Sequence, residues 1–144
     1  MHDCVVDATV IHMANGDISG RRPGNVLDKR LTALHQISSG ARRLRYNPKL
    51  LGEYQRVARE RRNDIIELFF TALAERAILV TRNKLPRHIY ATAIQMCGWP
   101  SHDQHLLAAA VGGVRPSILV TEQGHLNCAA CIRRRLEIRI EDLG

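Results

Sequence analysis

Three carboxylates stand beside apolar segments that lie far apart in the sequence: Asp7, Glu53 and Asp103. Asp7 lies in the β-like apolar run 4–11, Glu53 follows an Asn-Pro helix opener, and Asp103 precedes the apolar stretch 106–111. Carboxylate oxygens that meet at one point form a site for a hard divalent cation. A cation held in this way promotes phosphodiester hydrolysis, so the three acids predict that chemistry.

Each of the three acids has an ordinary structural alternative. Asp103 could only complement the dipole of the helix that it opens. Glu53 could be a solvated helix residue. Asp7 is harder to explain in this way, because a carboxylate within a buried strand is costly without a partner. Its alternative is a hydrogen bond to a backbone amide or to Thr9.

The size and composition of the chain predict one globular domain, residues 1–144. Its 144 residues are enough to bury a core, and its hydrophobic fraction of 45% is ordinary. No apolar run approaches the roughly 18 residues of a membrane span. Asp3 and Asp7 interrupt the N-terminal segment, which has no signal-peptide pattern. We therefore expect a cytoplasmic protein that does not enter a membrane.

The net charge of +7 comes mainly from arginine, since all 21 basic residues except Lys29, Lys49 and Lys84 are arginine. The planar guanidinium fork suits phosphate better than an ammonium group does. The composition therefore predicts a nucleic-acid partner. A GC-rich genome, whose codons favour arginine, is an alternative source of the same bias.

The periodicity of apolar residues predicts alternating strands and helices. Strands are expected at 3–11, 44–46, 78–81, 117–121 and 136–140, and helices at 25–38, 47–61, 64–76, 86–98, 103–111 and 124–134. Turn residues fill 15–17 and 21–24. Asn47 with Pro48 is a favourable helix start, and Ser101 with Gln104 has the spacing of a capping box. The alternation predicts an α/β fold with a mostly parallel central sheet between helices.

The fold class predicts where the acids meet. Ligand sites of open α/β sheets lie at the carboxyl ends of the strands. Asp7 lies late in the first predicted strand, and Asp103 lies in the first turn of a helix. Glu53 borders the apolar arc of its helix, so it can lean over the sheet edge. Carboxylates in such a group repel one another unless a cation neutralises them.

The same residues resemble the PIN domain, and within it the small VapC-type toxin ribonucleases. The resemblance covers nearly the whole chain. It rests on four short motifs in order: Val-Val-Asp7-Ala-Thr9, Leu-Leu-Gly-Glu53-Tyr, Ser-His-Asp103-Gln-His before an alanine-rich helix, and Ile-Leu-Val-Thr121-Glu122. One position departs from the family pattern, because Gln123 stands where the family commonly has an aspartate, with Glu122 beside it.

The resemblance implies a PIN-like three-layer fold and a Mg²⁺- or Mn²⁺-dependent endoribonuclease that uses a metal-activated water. It implies that Asp7, Glu53 and Asp103 are metal ligands, with Glu122 as a candidate fourth acid. Thr9 and Thr121 would orient the carboxylates. The implied partners are RNA, a cognate antitoxin that blocks the site, and a second copy of the chain in a homodimer.

The altered fourth acid position also supports an alternative function. A PIN-like module without catalytic activity would bind RNA or a protein partner. The orientation of Glu122 distinguishes the two, since a side chain turned towards the other acids favours the nuclease. A plain DNA-binding protein is disfavoured, because the sequence has no helix-turn-helix or zinc-finger pattern.

Four cysteines and several aromatic or histidine residues allow further interpretations. Cys128 and Cys131 have the spacing of a zinc or redox pair, but on a helix this spacing merely places two small residues on one face, and a cytoplasmic protein keeps its cysteines reduced. His102 and His105 flank Asp103 and could contact a phosphate or a metal, although surface positions are commoner. Trp99 could stack on a base, but packing is the favoured interpretation.

Overall fold

The structure is a computed structural model that describes residues 1–17 and 24–144. Within these ranges the side chains of residue 17 and of residues 24–28 are not described. Most of the predicted turn at 21–24 therefore lies outside the described residues.

Strands and helices alternate along the described chain. The strands are β1 (His2–Val6), β2 (Arg42–Tyr46), β3 (Ile78–Leu79), β4 (Ser117–Val120) and β5 (Arg139–Asp142). The α-helices are α1 (Ala8–Asp17), α2 (Gly24–Ser38), α3 (Pro48–Val57), α4 (Asp64–Glu75), α5 (Arg87–Tyr90), α6 (Gln104–Ala110), α7 (Gln123–Leu126) and α8 (Ala129–Leu136). A π-helical turn, Ala91–Met96, continues α5, and a 3-10 turn, Ser101–Asp103, leads into α6.

The five strands form one parallel sheet in the order β3-β2-β1-β4-β5. This arrangement confirms the predicted α/β class with a central parallel sheet. The chain builds outwards from β1 to β3, then returns to place β4 on the other side of β1. The carboxyl ends of β1 and β4 therefore lie at the point where the direction of the strand order changes, which is where such sheets bind ligands.

Helices cover the sheet and complete a three-layer arrangement. Helix α6 packs against β1, β2 and β4, and α8 packs against β5, while α1, α2 and α4 pack on one another. The central strands are buried accordingly, with every residue of β4 buried and β1 exposed only at His2. Burial on both faces explains the continuous apolar character of these strands.

The first strand is shorter than the sequence predicts, because β1 ends at Val6 and α1 begins at Ala8. The prediction of a strand over 3–11 is therefore wrong beyond Val6. Val10, Ile11 and Ala14 are fully buried on α1, a spacing that suits one helix face as well as it suits a strand. As a consequence, Asp7 lies at the carboxyl end of β1, and its amide donates a hydrogen bond to the Leu119 carbonyl.

Other boundaries differ from the prediction in ways that local contacts explain. Asn47 caps α3 as expected, accepting a hydrogen bond from the Leu50 amide. The capping box at Ser101 is wrong: no side-chain cap is formed there, and Gln104 instead accepts a hydrogen bond from the Leu85 amide. The helix predicted at 124–134 is divided into α7 and α8, and 15–17 belong to α1 instead of a turn.

The prediction that all cysteines are reduced is wrong, because Cys97 and Cys131 form a disulfide. Their Cα atoms are 5.5 Å apart, within the range that a disulfide spans. The bond joins the end of the π-helical turn to α8. The two cysteines are 34 residues apart, so the sequence did not reveal that they lie close together. Cys4 and Cys128 are free and buried, so Cys128 does not pair with Cys131 across the short spacing.

None of the helices in the described part of the chain has the length and apolar character needed to cross a membrane.

Candidate metal centre

The candidate site lies where β1 and β4 end side by side. Asp7 directly follows β1, and Glu122 lies two residues beyond β4. Asp103 reaches the same place from the other direction, as the last residue of the 3-10 turn before α6. Asp7 is 11% and Asp103 18% exposed at the side chain, so both carboxylates are largely withdrawn from water.

A histidine that the sequence analysis did not single out completes the group. His125 lies in α7, and its side chain is 1% exposed. Its Nε2 atom is 2.7 Å from Asp103 Oδ2, and its Nδ1 atom is 3.9 Å from Asp7 Oδ2. Glu122 directly precedes α7 and lies three positions before His125, a Glu-x-x-His spacing that bundle metal sites also use. That spacing was the available signal.

Ligand atoms of Asp103, Glu122 and His125 all lie within 4.8 Å of one another, close enough to hold one metal ion. Two carboxylates and one imidazole form a donor set that a divalent cation accepts. Two buried polar atoms next to these residues, His125 Nδ1 and Thr121 Oγ1, make no hydrogen bond within the described structure. The donor set and these two unpartnered atoms fit a centre that holds an ion or a ligand.

Thr9 connects two of the carboxylates. Its hydroxyl is 2.9 Å from Asp7 Oδ2 and 3.4 Å from Glu122 Oε1. Thr9 therefore contacts both acids, and its orienting role stays a prediction. Thr121 differs, because its buried hydroxyl has no hydrogen-bond partner among the described residues.

Trp99 fixes the position of His125. The indole and imidazole rings are stacked with centroids 4.6 Å apart and planes at 24°. The indole Nε1 also donates a hydrogen bond of 2.9 Å to the Asp103 carbonyl. Trp99 is buried, so its role is packing, as the sequence analysis favoured, and it holds both His125 and the Asp103 backbone.

Glu53 is not among the three residues whose possible ligand atoms cluster. Its Oε1 atom is 2.7 Å from Nε2 of His105, which is a buried residue of α6. Asn47 donates to the His105 carbonyl at 2.9 Å and caps α3, so it joins the two helices that carry this pair. His105 is therefore not at the surface, whereas His102 is 80% exposed, with Nε2 3.5 Å from Asp103 Oδ2.

The pKa values of Asp7 and Asp103 are shifted in opposite directions. Burial raises the pKa of Asp7, and its hydrogen bond from Thr9 and the charge of His125 only partly offset this. Burial would also raise the pKa of Asp103, but the hydrogen bond and charge of His125, with further help from His102 and His105, lower it overall. For His125 burial lowers the pKa, and the bond to Asp103 with the nearby acids raises it above its usual value.

Gln123, where the PIN-like pattern would have an aspartate, is engaged on the surface of α7. Its Nε2 atom donates a hydrogen bond of 2.8 Å to Asn127 on the exposed side of α7. Glu122 is exposed, and one of its carboxylate oxygens still lies within reach of Asp103 and His125, so it is the acid that this segment contributes to the candidate metal centre.

Comparisons with family models, with curated proteins and with solved structures found no significant match to this chain. The PIN-domain resemblance therefore stays a prediction from the four motifs.

Proposed function

We propose that this chain is a metal-dependent endoribonuclease whose centre consists of Asp7, Asp103, Glu122 and His125. One observation carries the proposal: ligand atoms of Asp103, Glu122 and His125 come within 4.8 Å of one another at the switch point of the sheet. Asp7 stands against the same histidine, at 3.9 Å from its Nδ1 atom. A functional site is typical of that location and of acids with shifted pKa values.

The donor set favours Mn²⁺ over Mg²⁺. Mg²⁺ prefers an all-oxygen shell, whereas an imidazole nitrogen suits transition metals better. Asp103 and Glu122 would supply the oxygen ligands and His125 the nitrogen ligand. When bound, the ion would acidify a water molecule and neutralise charge on the scissile phosphate.

The remaining residues position these ligands. Thr9 keeps Asp7 and Glu122 in reach of each other, and Trp99 holds His125 by stacking. The pair of Glu53 with His105 fixes α3 against α6 behind the centre, so Glu53 acts on the site through the helix that follows Asp103. His102 is exposed beside Asp103, where a substrate phosphate would approach.

RNA is the proposed substrate because of the arginine-rich charge and the VapC-like motifs. The net charge of +7 attracts a phosphate backbone. The resemblance alone adds three further parts to the proposal: a toxin role, an antitoxin partner and a homodimer.

The second candidate, a module that binds RNA or a protein without cleaving it, is favoured by two contacts. Glu53 is engaged by His105, and Gln123 is engaged by Asn127, so two positions that the family uses for acids do not supply ligands to the centre.

Cleavage of a mixed RNA pool distinguishes the two functions. Wild type would be compared in Mn²⁺ and in EDTA with Asp103→Asn, and with Asp64→Asn as a control that makes the same change at an exposed helix start. We expect cleavage by wild type and Asp64→Asn in Mn²⁺, none in EDTA, and a loss above about 100-fold in Asp103→Asn, because even outer-shell changes cost 10–100-fold.

Unchanged cleavage by Asp103→Asn, or cleavage that persists in EDTA, would contradict the nuclease proposal. RNA binding without cleavage under every condition would favour the binding module.

A further inference from the structure

A cavity opens at the end of the sheet opposite the candidate metal centre, where strands β1, β4 and β5 begin. Its volume is about 520 Å³, and its lining includes the loop 111–116 and the end of α8. Strands of four residues separate this edge from the candidate metal centre, which corresponds to roughly 13 Å. The size falls within the range of small-ligand pockets, which is about 300–1,000 Å³.

The cavity combines an apolar part with arginines. The lining includes Ile89, Arg115, Arg133, Leu136, Ile138 and Arg139. The three arginine side chains are exposed, and within the described residues they make no hydrogen bond or ion pair. Glu137 is the acid among the lining residues. Unpaired guanidinium groups facing a concave apolar surface suit a ligand that is part aromatic and part anionic.

The backbone at this cavity is strained in two places. Arg115 has φ of 44° and Glu137 has φ of 57°, and they are the non-glycine residues with positive φ in the described chain. Both line the cavity. Such conformations are unfavourable for residues with a side chain, and they collect at ligand-binding sites.

The wall that carries Arg115 is held in place by buried contacts. The Asp3 carboxylate accepts a hydrogen bond of 2.8 Å from the Val114 amide, and the Asp3 amide donates to the Val114 carbonyl. Arg45 donates to the Ala109 and Val111 carbonyls. Asp3 is already paired with Arg43, so its charge does not neutralise the arginines of the cavity. A wall fixed in advance lowers the ordering cost of binding.

We propose that this cavity binds a nucleotide, with the base against the apolar side chains and the phosphate on Arg133 and Arg139. The nucleotide can be free or part of an RNA chain, since both present the same phosphate and base. The site is separate from the candidate metal centre, and binding there requires no metal ion. It therefore stands or falls independently of the nuclease proposal.

The test measures binding in EDTA, which removes the metal centre from the experiment. Adenosine 5′-monophosphate and a single-stranded RNA decamer would be titrated into isotopically labelled protein and followed by NMR chemical shifts. The variants are Arg133→Ala with Arg139→Ala, and the control Arg135→Ala, which removes the same kind of exposed charge from α8 outside the cavity.

We expect AMP to shift the amides of loop 111–116, and the double variant to bind AMP at least about 10-fold more weakly, the effect of losing hydrogen bonds to a charged group. Arg135→Ala should bind AMP as wild type does. If AMP binding is lost while RNA affinity is unchanged, the occupant is a free nucleotide. If RNA affinity falls beyond that of Arg135→Ala, the occupant belongs to the RNA.

The proposal would be overturned if Arg135→Ala and the double variant lowered the affinity for both probes equally per charge removed. Such a result would show general charge attraction. Absence of any shift in loop 111–116 with either probe would overturn it as well.

Discussion

Asp3 and Asp7 lie four residues apart in sequence, at opposite ends of β1, and both carboxylates are buried. Two guanidinium groups and one backbone hydrogen-bond donor surround the Asp3 carboxylate: Arg43 Nε at 2.7 Å, Arg45 Nη1 at 3.7 Å and the Val114 amide at 2.8 Å. Burial would raise the pKa of Asp3, yet these partners together lower it.

Asp7 has much weaker compensation. Thr9 donates one hydrogen bond, His125 stands 3.9 Å away, and the two further acids Asp103 and Glu122 lie nearby. Its pKa is accordingly raised by burial. The amino-end carboxylate therefore stabilises the fold, whereas the carboxyl-end carboxylate is held at a cost, which is typical of a functional group.

Substitution of these two acids should change the free energy of unfolding by very different amounts. Asp3→Ala should lower the free energy of unfolding by about 3–5 kcal/mol, because it leaves Arg45 and the Val114 amide without their buried partner. Asp7→Asn should leave stability without metal within about 1 kcal/mol or raise it, because it removes an acid that repels its neighbours. Urea denaturation in EDTA measures both changes.

A loss of stability in Asp7→Asn as large as that in Asp3→Ala would contradict this difference between the two acids. It would mean that Asp7 is a structural residue whose hydrogen bond from Thr9 is its main purpose.

The disulfide ties the segment before Trp99 to α8, and Trp99 itself stacks on His125 of the candidate metal centre. Reduction with dithiothreitol should destabilise wild type by about 2–4 kcal/mol, the typical contribution of a native disulfide. The double variant Cys97→Ser with Cys131→Ser should show the same loss and no further response to the reductant. Unfolding curves with and without dithiothreitol check this, and an equal response in both proteins would argue against the Cys97–Cys131 pairing.

Glu53 and Glu122 test which acid belongs to the metal centre. Glu122→Gln should weaken Mn²⁺ binding by more than about 100-fold, because it removes a ligand candidate. Glu53→Gln should weaken it by about 10-fold or less, because Glu53 is paired with His105. Both variants make the same chemical change, so each serves as the control for the other. Calorimetric titration with Mn²⁺ gives the two affinities, and the reverse order would restore Glu53 as a ligand.

The smallest expected effect is a pH dependence at the amino end. Because the folded-state pKa of Asp3 is below the usual value of 3.8, its contribution to stability is present above that pH. It is lost as the pH falls through the folded-state value. Wild type should therefore lose stability below about pH 4 more steeply than Asp3→Asn does. Parallel acid-denaturation curves for the two proteins would show that Asp3 is not responsible.

The sequence predicted the class of the fold because its signals are local. Alternating apolar segments indicated a parallel sheet, and Asn47 with Pro48 indicated a helix start that the structure contains. The run 4–11 misled the strand prediction, because a buried strand and a buried helix face have the same apolar composition. The Ser101 capping box failed because a long-range partner, the Leu85 amide, occupies Gln104.

The candidate site was harder to predict because its geometry depends on contacts between distant segments. The motifs indicated Asp7, Asp103 and Glu122 as site residues, and the structure brings them to one edge of the sheet. Glu53 pairs with His105, which lies 52 residues further along the chain. His125 was missed because a histidine in a short helix has no distinctive local pattern apart from its spacing to Glu122.

The most direct test of the metal centre is anomalous scattering from crystals of the protein grown with Mn²⁺. We predict a manganese peak between the side chains of Asp103, Glu122 and His125, with Asp7 beside it. A peak elsewhere, such as at Glu53 and His105, or no peak at a concentration where the protein binds Mn²⁺ in solution, would contradict the assignment of the centre to these residues.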